Sequence, residues 1–146
     1  MKKVKNLVVK NVLYLAWAQA LVAMLTSLYF SEVLKLVPCV LCWYQRIAMY
    51  PLVFILGVGI YRRDKNVPYY VLPLSIIGFV IAVYHYLLQR GIIPDSLAPC
   101  TLGVSCTTEY IELLGFITIP FMSMLAFAFI TICMFIFIKS SKKHEN

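Results

Sequence analysis

Four of the five cysteines fall into two pairs whose spacing permits thiol–disulfide chemistry. Cys39 and Cys42 form a Cys-x-x-Cys motif directly after a proline, and Cys100 and Cys106 enclose five residues in a polar segment. Residues three apart share one face of a helix, so the first pair can close a disulfide across a helix start. A thiolate in that place is stabilised by the free N–H groups of the helix N-terminus, which lower its pKa. The two pairs therefore indicate a redox relay.

Composition places these cysteines next to a membrane. The chain has 146 residues, of which 62% are hydrophobic and 13% charged, and its mean hydropathy is +0.88. Soluble domains average about a quarter charged residues. Four apolar segments, at about 11–30, 43–61, 69–88 and 115–138, each approach the roughly 20 residues that cross a hydrocarbon core. The sequence predicts an all-α membrane protein, a single domain over residues 1–146 that forms a four-transmembrane-helix up-and-down bundle.

The net charge of +7 reflects an uneven distribution of basic residues between the loops. Ten of the 13 lie before the first apolar segment, between the second and third, or after the fourth, whereas Lys35, Arg46 and Arg90 lie near the other two loops. The positive-inside rule then places both termini in the cytoplasm and both cysteine pairs outside. Nucleic acid is therefore not an expected partner, and the first segment is predicted to be a retained helix rather than a cleaved signal peptide. The ten residues are Lys2, Lys3, Lys5, Lys10, Arg62, Arg63, Lys65, Lys139, Lys142 and Lys143.

Two polar residues in the apolar segments are predicted about one helical turn deeper than the first cysteine pair. Arg46 follows Cys39 by seven residues and Cys42 by four, so it lies below both on one helical stripe. A buried guanidinium is costly in a membrane, and it could stabilise a thiolate, polarise the carbonyl of a lipid-soluble acceptor, or simply snorkel to the interface. His85, about one turn before the outer end of the third segment, could donate a hydrogen bond or proton to a bound ring, or only pack. Cys133 is expected to be a small apolar filler.

The electrons from such a relay need a final acceptor. Disulfide exchange passes oxidation from one pair to another, whereas a new disulfide needs a two-electron acceptor. The sequence has no nucleotide-binding glycine pattern and no haem motif, so an acceptor dissolved in the membrane is the economical choice.

Three other functions remain open from the residues alone. A structural membrane protein could hold zinc through the two pairs, although the second spacing is wide for a zinc knuckle. A small transporter would usually need an ionisable residue near the membrane midplane, and no Asp or Glu falls within the apolar segments. A quinone reductase of the vitamin K epoxide reductase kind would use similar residues with electrons in the opposite net direction.

These motifs resemble the bacterial disulfide bond formation protein B family, DsbB, in its shorter BdbC-like branch. The resemblance is carried by Pro38–Arg46, by Tyr84–Gln89, by the loop Pro99–Cys106 and by four helices in that order, and it covers essentially the whole chain. This chain departs from better-known members in two ways. Its segment between the second two cysteines is much shorter, and Gln45 stands where some members have an acidic residue.

The resemblance implies a membrane quinone-linked thiol oxidoreductase that generates disulfides in a bacterial cell membrane. Electrons from an extracytoplasmic thioredoxin-like thiol–disulfide oxidoreductase would enter Cys100–Cys106 and pass to Cys39–Cys42. They would then reach a quinone, menaquinone or ubiquinone, beside Cys42 and Arg46. His85 is expected to help bind that quinone.

Independently of the resemblance, the sequence predicts a short interfacial turn at 109–112.

Overall fold

Four long helices make up most of the described chain. The structure, a computed structural model, describes residues 2–100, 104–107 and 117–142. Within these residues each helix is long and apolar enough to cross a membrane, judged by length and composition. The predicted all-α fold with four membrane-spanning helices is therefore confirmed. The helices are α1 (Lys2–Glu32), α2 (Val40–Arg62), α3 (Val67–Gln89) and α4 (Ile119–Lys142), and a short 3-10 turn covers Asp95–Leu97.

The helix ends differ from the predicted segments where capping and charge matter. The first helix starts at Lys2 rather than about residue 11, so the basic N-terminal residues extend the helix instead of preceding it. The second starts at Val40, slightly before the apolar segment at 43–61, so the first cysteine pair lies at the helix start, as the Cys-x-x-Cys motif predicted. The fourth starts at Ile119, with Pro120 in its first turn, where a missing N–H leaves no hydrogen bond unmade. Residues 117 and 118 of the predicted segment precede the helix, and 115–116 lie outside the described residues. The predicted turn at 109–112 lies outside the described residues.

The helices pack as a ring of neighbours. Each packs against the next, and α4 also packs against α1, while α2 and α4 meet only sparsely across the bundle. The loops at 33–39 and 63–66 are short, so α1, α2 and α3 run antiparallel to their neighbours. The contacts of Ser75 with Thr131 and of Tyr86 with Phe121 show that α3 and α4 are antiparallel as well, which completes an up-and-down bundle. A Cβ at Gly78 would collide with the Phe127 ring, so this glycine permits the close approach of α3 and α4.

Apolar side chains occupy both the inside and the outside of the bundle. The main core is formed by buried residues from all four helices, including Ala16, Leu52, Val71 and Phe127. Other large apolar side chains remain exposed on the outer helix faces, as expected where lipid rather than water surrounds the protein. A second, smaller core lies at the end of the bundle where α2 begins and α3 ends. It consists of Cys39, Leu41, Leu88 and Cys106 with the residues packed on them. This second core positions the site described next.

Candidate active site at the cysteine end of the bundle

The first cysteine pair lies at the N-terminus of α2. Cys39 caps the helix with an extended backbone (φ −72°, ψ 173°), and its carbonyl oxygen accepts a bond from the Trp43 N–H at 3.1 Å. The Sγ atoms of Cys39 and Cys42 are 3.3 Å apart, and both residues are free thiols. The start of the helix thus holds two sulfurs within reach of each other, as the Cys-x-x-Cys spacing predicted.

Cys39 is an acidic thiol. Its pKa is lowered from an ordinary value of 9.0 to about 4. The largest cause is the hydrogen bond from the Cys42 thiol; burial opposes it by disfavouring the charged form, and His85 lowers the pKa further through a hydrogen bond and its electrostatic field. A stabilised thiolate stabilises the reduced pair, which makes the corresponding disulfide a stronger oxidant.

A buried hydrogen-bond chain supports Cys39 from α3. The His85 side chain is 1% exposed, and its Nε2 lies 3.7 Å from the Cys39 Sγ and 3.1 Å from the backbone oxygen of Cys106. A carbonyl oxygen can only accept, so Nε2 carries the hydrogen. The Nδ1 of a neutral ring then accepts a bond from the Gln45 amide nitrogen, 3.0 Å away. The Cys106 carbonyl oxygen thereby sets the tautomer of His85, and Gln45 holds the orientation of its ring.

Gln45 was not predicted as a site residue from the sequence. The available signal was an uncharged amide three residues after Cys42, on the cysteine face of an otherwise apolar helix. Buried polar side chains are normally hydrogen-bonded, and Gln45 is 6% exposed. Its partner on another helix is what the sequence does not reveal.

The second cysteine pair lies against the first. Cys100 and Cys106 are joined by a disulfide. The Sγ atoms of Cys39, Cys100 and Cys106 all lie within 4.8 Å of one another. Cys106 is buried at 1% exposure, whereas Cys100 is only half-buried. The Tyr84 hydroxyl donates to the Leu97 carbonyl oxygen at 2.7 Å, which ties the preceding part of this loop to α3.

Arg46 is bonded to the end of α1. Its Nη2 donates to the Ser27 carbonyl oxygen at 3.0 Å and to the Ser31 hydroxyl. Its guanidinium carbon lies 5.4 Å from the centroid of the Trp43 ring, within cation–π range. These contacts hold a permanent positive charge on the wall of the cavity described next.

A cavity of about 180 Å³ opens beside the dithiol. We call it the inner cavity; all four helices contribute to its walls, which include Cys39, Cys42, Gln45, Arg46 and His85. An apolar cavity of about 150 Å³ in a protein core holds one benzene ring. The inner cavity is therefore the right size for one substituted ring next to a sulfur.

All six predicted site residues meet at this end of the bundle. Four of them line the inner cavity, and the two loop cysteines lie against its Cys39 side. Cys133 packs into the main core instead, which confirms the prediction that it is an apolar filler. The predicted site residues are Cys39, Cys42, Arg46, His85, Cys100 and Cys106.

Comparison with known proteins identifies the family. The sequence profile described as Disulfide bond formation protein DsbB matches residues 9–137. The chain belongs to this family. It is therefore a disulfide-generating oxidoreductase and a multi-pass membrane protein.

Relatives from three bacteria support the same assignment. The chain is 53% identical over 122 residues to Disulfide bond formation protein C of Bacillus subtilis (strain 168), covering 84% of this chain and 88% of the relative. It is 49% identical over 133 residues to Probable disulfide formation protein C 2 of Bacillus anthracis, covering 90% and 92%. It is 48% identical over 138 residues to Probable disulfide formation protein C of Halalkalibacterium halodurans, covering 94% and 97%. No solved structure matches the chain.

Proposed function

We propose that the chain, acting as one domain, oxidises an extracytoplasmic thioredoxin-like thiol–disulfide oxidoreductase and delivers the electrons to a membrane quinone. One observation carries this proposal: the sulfurs of Cys39, Cys100 and Cys106 lie within 4.8 Å of one another, and Cys39 also lines the inner cavity. A single sulfur thus connects the loop disulfide with a ring-sized space that opens among the helices.

Electrons enter at the loop disulfide. A thiolate of the reduced partner attacks Cys100, which is the more exposed loop sulfur, and Cys106 leaves as a thiolate. The second thiol of the partner then attacks the mixed disulfide and releases the partner oxidised. Two electrons have moved from the partner to the loop, which becomes a dithiol. The unequal burial of Cys100 and Cys106 supports this order.

The second exchange moves the electrons to α2. The buried Cys106 thiolate attacks Cys39 of the Cys39–Cys42 disulfide, and Cys42 leaves; Cys100 then attacks Cys106 and frees Cys39. The loop disulfide is restored and the helix pair becomes a dithiol. This product has the bonding pattern of the structure, with Cys100–Cys106 joined and the helix cysteines free. The low pKa of Cys39 favours this direction by stabilising the reduced pair.

The last step returns the dithiol of α2 to a disulfide. A quinone in the inner cavity would supply a two-electron, two-proton acceptor. Cys42 and Arg46 both line that space, and a fixed guanidinium favours negative charge that develops there. The residues fit such a group, because the cavity is ring-sized and two of its hydroxyl groups have no hydrogen-bond partner among the described residues. Menaquinone and ubiquinone both meet these requirements.

The proposal includes an orientation in the bacterial cell membrane. The 10-to-3 distribution of basic residues favours cytoplasmic termini and extracytoplasmic cysteine pairs. Disulfides persist on that side, where the environment is oxidising. A soluble partner and a membrane quinone then approach the site from different directions, which a relay of two cysteine pairs requires.

Anaerobic mixing tests the proposal. Purified protein is combined with a short-tailed quinone and a reduced thioredoxin-like oxidoreductase, and quinol and partner disulfide are measured together. One quinol should appear per partner disulfide, and Cys39→Ala should abolish both. Quinone that stays oxidised while the partner stays reduced would refute the proposal. Zinc released on denaturation, with four titratable thiols at this end, would favour the zinc-holding alternative.

A further inference from the structure

The inner cavity contains two buried hydroxyl groups that make no hydrogen bond with any described residue. They are the Tyr50 hydroxyl on α2 and the Thr118 Oγ1 directly before α4. The Thr118 side chain is 1% exposed, and the oxygen of Tyr50 is buried as well. A buried hydroxyl without a partner destabilises a folded protein, because its hydrogen bonds to water are lost and not replaced. Two such hydroxyls lining one cavity point to a polar ligand.

The local structure of each residue does not use its hydroxyl. A threonine directly before a helix usually accepts a bond from an N–H in the first turn. Here the second helical residue is Pro120, which has no N–H, and the Thr118 Oγ1 makes no such bond. Tyr50 lies one helical turn beyond Arg46 on α2, deeper in the bundle. Neither hydroxyl is therefore needed to hold its own segment in place.

The polar side chains of the inner cavity next to Cys39 and Cys42 are already engaged. Gln45 and His85 bond to each other, and His85 bonds to the Cys106 carbonyl oxygen. The Nη2 of Arg46 donates to the Ser27 carbonyl oxygen and to the Ser31 hydroxyl on α1. A carbonyl oxygen entering the cavity would thus find the two unpartnered hydroxyls as available neutral donors.

We propose that Tyr50 and Thr118 bind the quinone by donating hydrogen bonds to its carbonyl oxygens. This inference rests on the proposed function. It names residues that set the position and affinity of the ring, while the thiols carry the electrons. Hydroxyl donors suit this acceptor because a quinone oxygen gains negative charge as electrons arrive, and hydrogen bonds to such an oxygen then strengthen.

The test combines quinone affinity with the thermal stability of quinone-free protein. Tyr50→Phe and Thr118→Val remove each hydroxyl with little change in shape. Each should raise the Kd for menadione or a short-tailed ubiquinone about threefold to tenfold, the value of one neutral hydrogen bond. Each should also leave Tm unchanged or raise it when quinone is absent, since an unsatisfied buried hydroxyl is lost. This combination differs from the effect of a structural residue, whose loss lowers Tm.

Matched controls separate this inference from the function on which it rests. Tyr61→Phe removes an exposed hydroxyl, and Thr131→Val removes one that is bonded to the Phe127 carbonyl oxygen and to Ser75, so neither should change the Kd. If the wild-type protein binds quinone and both cavity variants bind it equally well, the inference is overturned and the proposed function stands. If the wild-type protein binds no quinone, both are overturned. A lower Tm with an unchanged Kd would assign the hydroxyls to folding and also overturn the inference.

Discussion

The acidity of Cys39 can be tested by changing its nearest neighbour. In a chain where Cys39 is the only cysteine, residue 42 is replaced by Ser or by Ala. A serine hydroxyl can still donate to the Cys39 thiolate, whereas alanine removes the interaction that contributes most to the low pKa. Burial, which raises the pKa, is the same in both variants. We therefore expect the pKa of Cys39 to stay low in Cys42→Ser and to move towards 9.0 in Cys42→Ala.

The size of the effect follows from the shift. With a pKa of about 4, nearly all of Cys39 is thiolate at pH 6, whereas a thiol with a pKa of 9.0 is about one part in a thousand thiolate. A more basic thiolate is also more nucleophilic, by roughly 100-fold to 300-fold over five pKa units at a Brønsted coefficient of about 0.4–0.5. If the full shift is lost, alkylation at pH 6 should therefore slow by only about threefold to tenfold. The shape of the pH profile is the more sensitive measure.

The assay is alkylation by iodoacetamide, followed by mass spectrometry of protein in lipid nanodiscs from about pH 3 to pH 9. The Cys42→Ser rate should be flat above about pH 5 and fall near pH 4, because the thiolate is protonated only below its folded pKa. The Cys42→Ala rate should rise about tenfold per pH unit up to its own, higher pKa. Identical profiles for both variants, each with a midpoint near 9, would refute the idea that the neighbouring hydrogen bond acidifies Cys39.

Three further predictions concern the acceptor, the entry point and the orientation. Arg46→Met should raise the apparent KM for quinone about 10-fold to 100-fold, which corresponds to the loss of a hydrogen bond to a charged group. Arg46→Lys should raise it less, because the charge remains. If steady-state kinetics show an unchanged KM in both variants, Arg46 is only an interfacial anchor. Cys100→Ser should abolish turnover with the protein partner while a small dithiol still supports quinone reduction through Cys39 and Cys42, and equal loss of both activities would argue for a purely structural loop. On intact, reduced cells a membrane-impermeant maleimide should label one or more of Cys39, Cys42, Cys100 and Cys106 but not Cys133. Labelling of Cys133 alone would reverse the predicted orientation.

Hydropathy and segment length were enough to predict the bundle. The four apolar segments became four helices because each is long enough to span the membrane and is bounded by charges, prolines or loops. The helix ends were less predictable, since Lys2 and Lys142 fall in helices although both lie beyond the apolar segments. Helical hydrogen bonding continues past the apolar residues at both ends, and hydropathy carries no information about it.

The chemistry of the site was predictable only along single helices. The spacing of Cys39, Cys42 and Arg46 places them on one face, and the structure keeps all three on the inner cavity. Contacts between elements were not predictable in the same way. The bond between Gln45 and His85 joins residues 40 positions apart, and no local pattern specifies it. Such pairs depend on how the helices are rotated in the bundle, which the packing of large and small side chains decides.

Disulfide trapping between the two cysteine pairs is the most direct test of the central claim that Cys39 joins them. In a chain with Cys42→Ala, Cys100→Ala and Cys133→Ser, only Cys39 and Cys106 remain, and oxidation should link them because their sulfurs lie within 4.8 Å in the folded protein. Intact mass after alkylation should then show no free thiol, and reduction should restore two. The same chain left with two free thiols after oxidation, although folded and inserted, would contradict the relay.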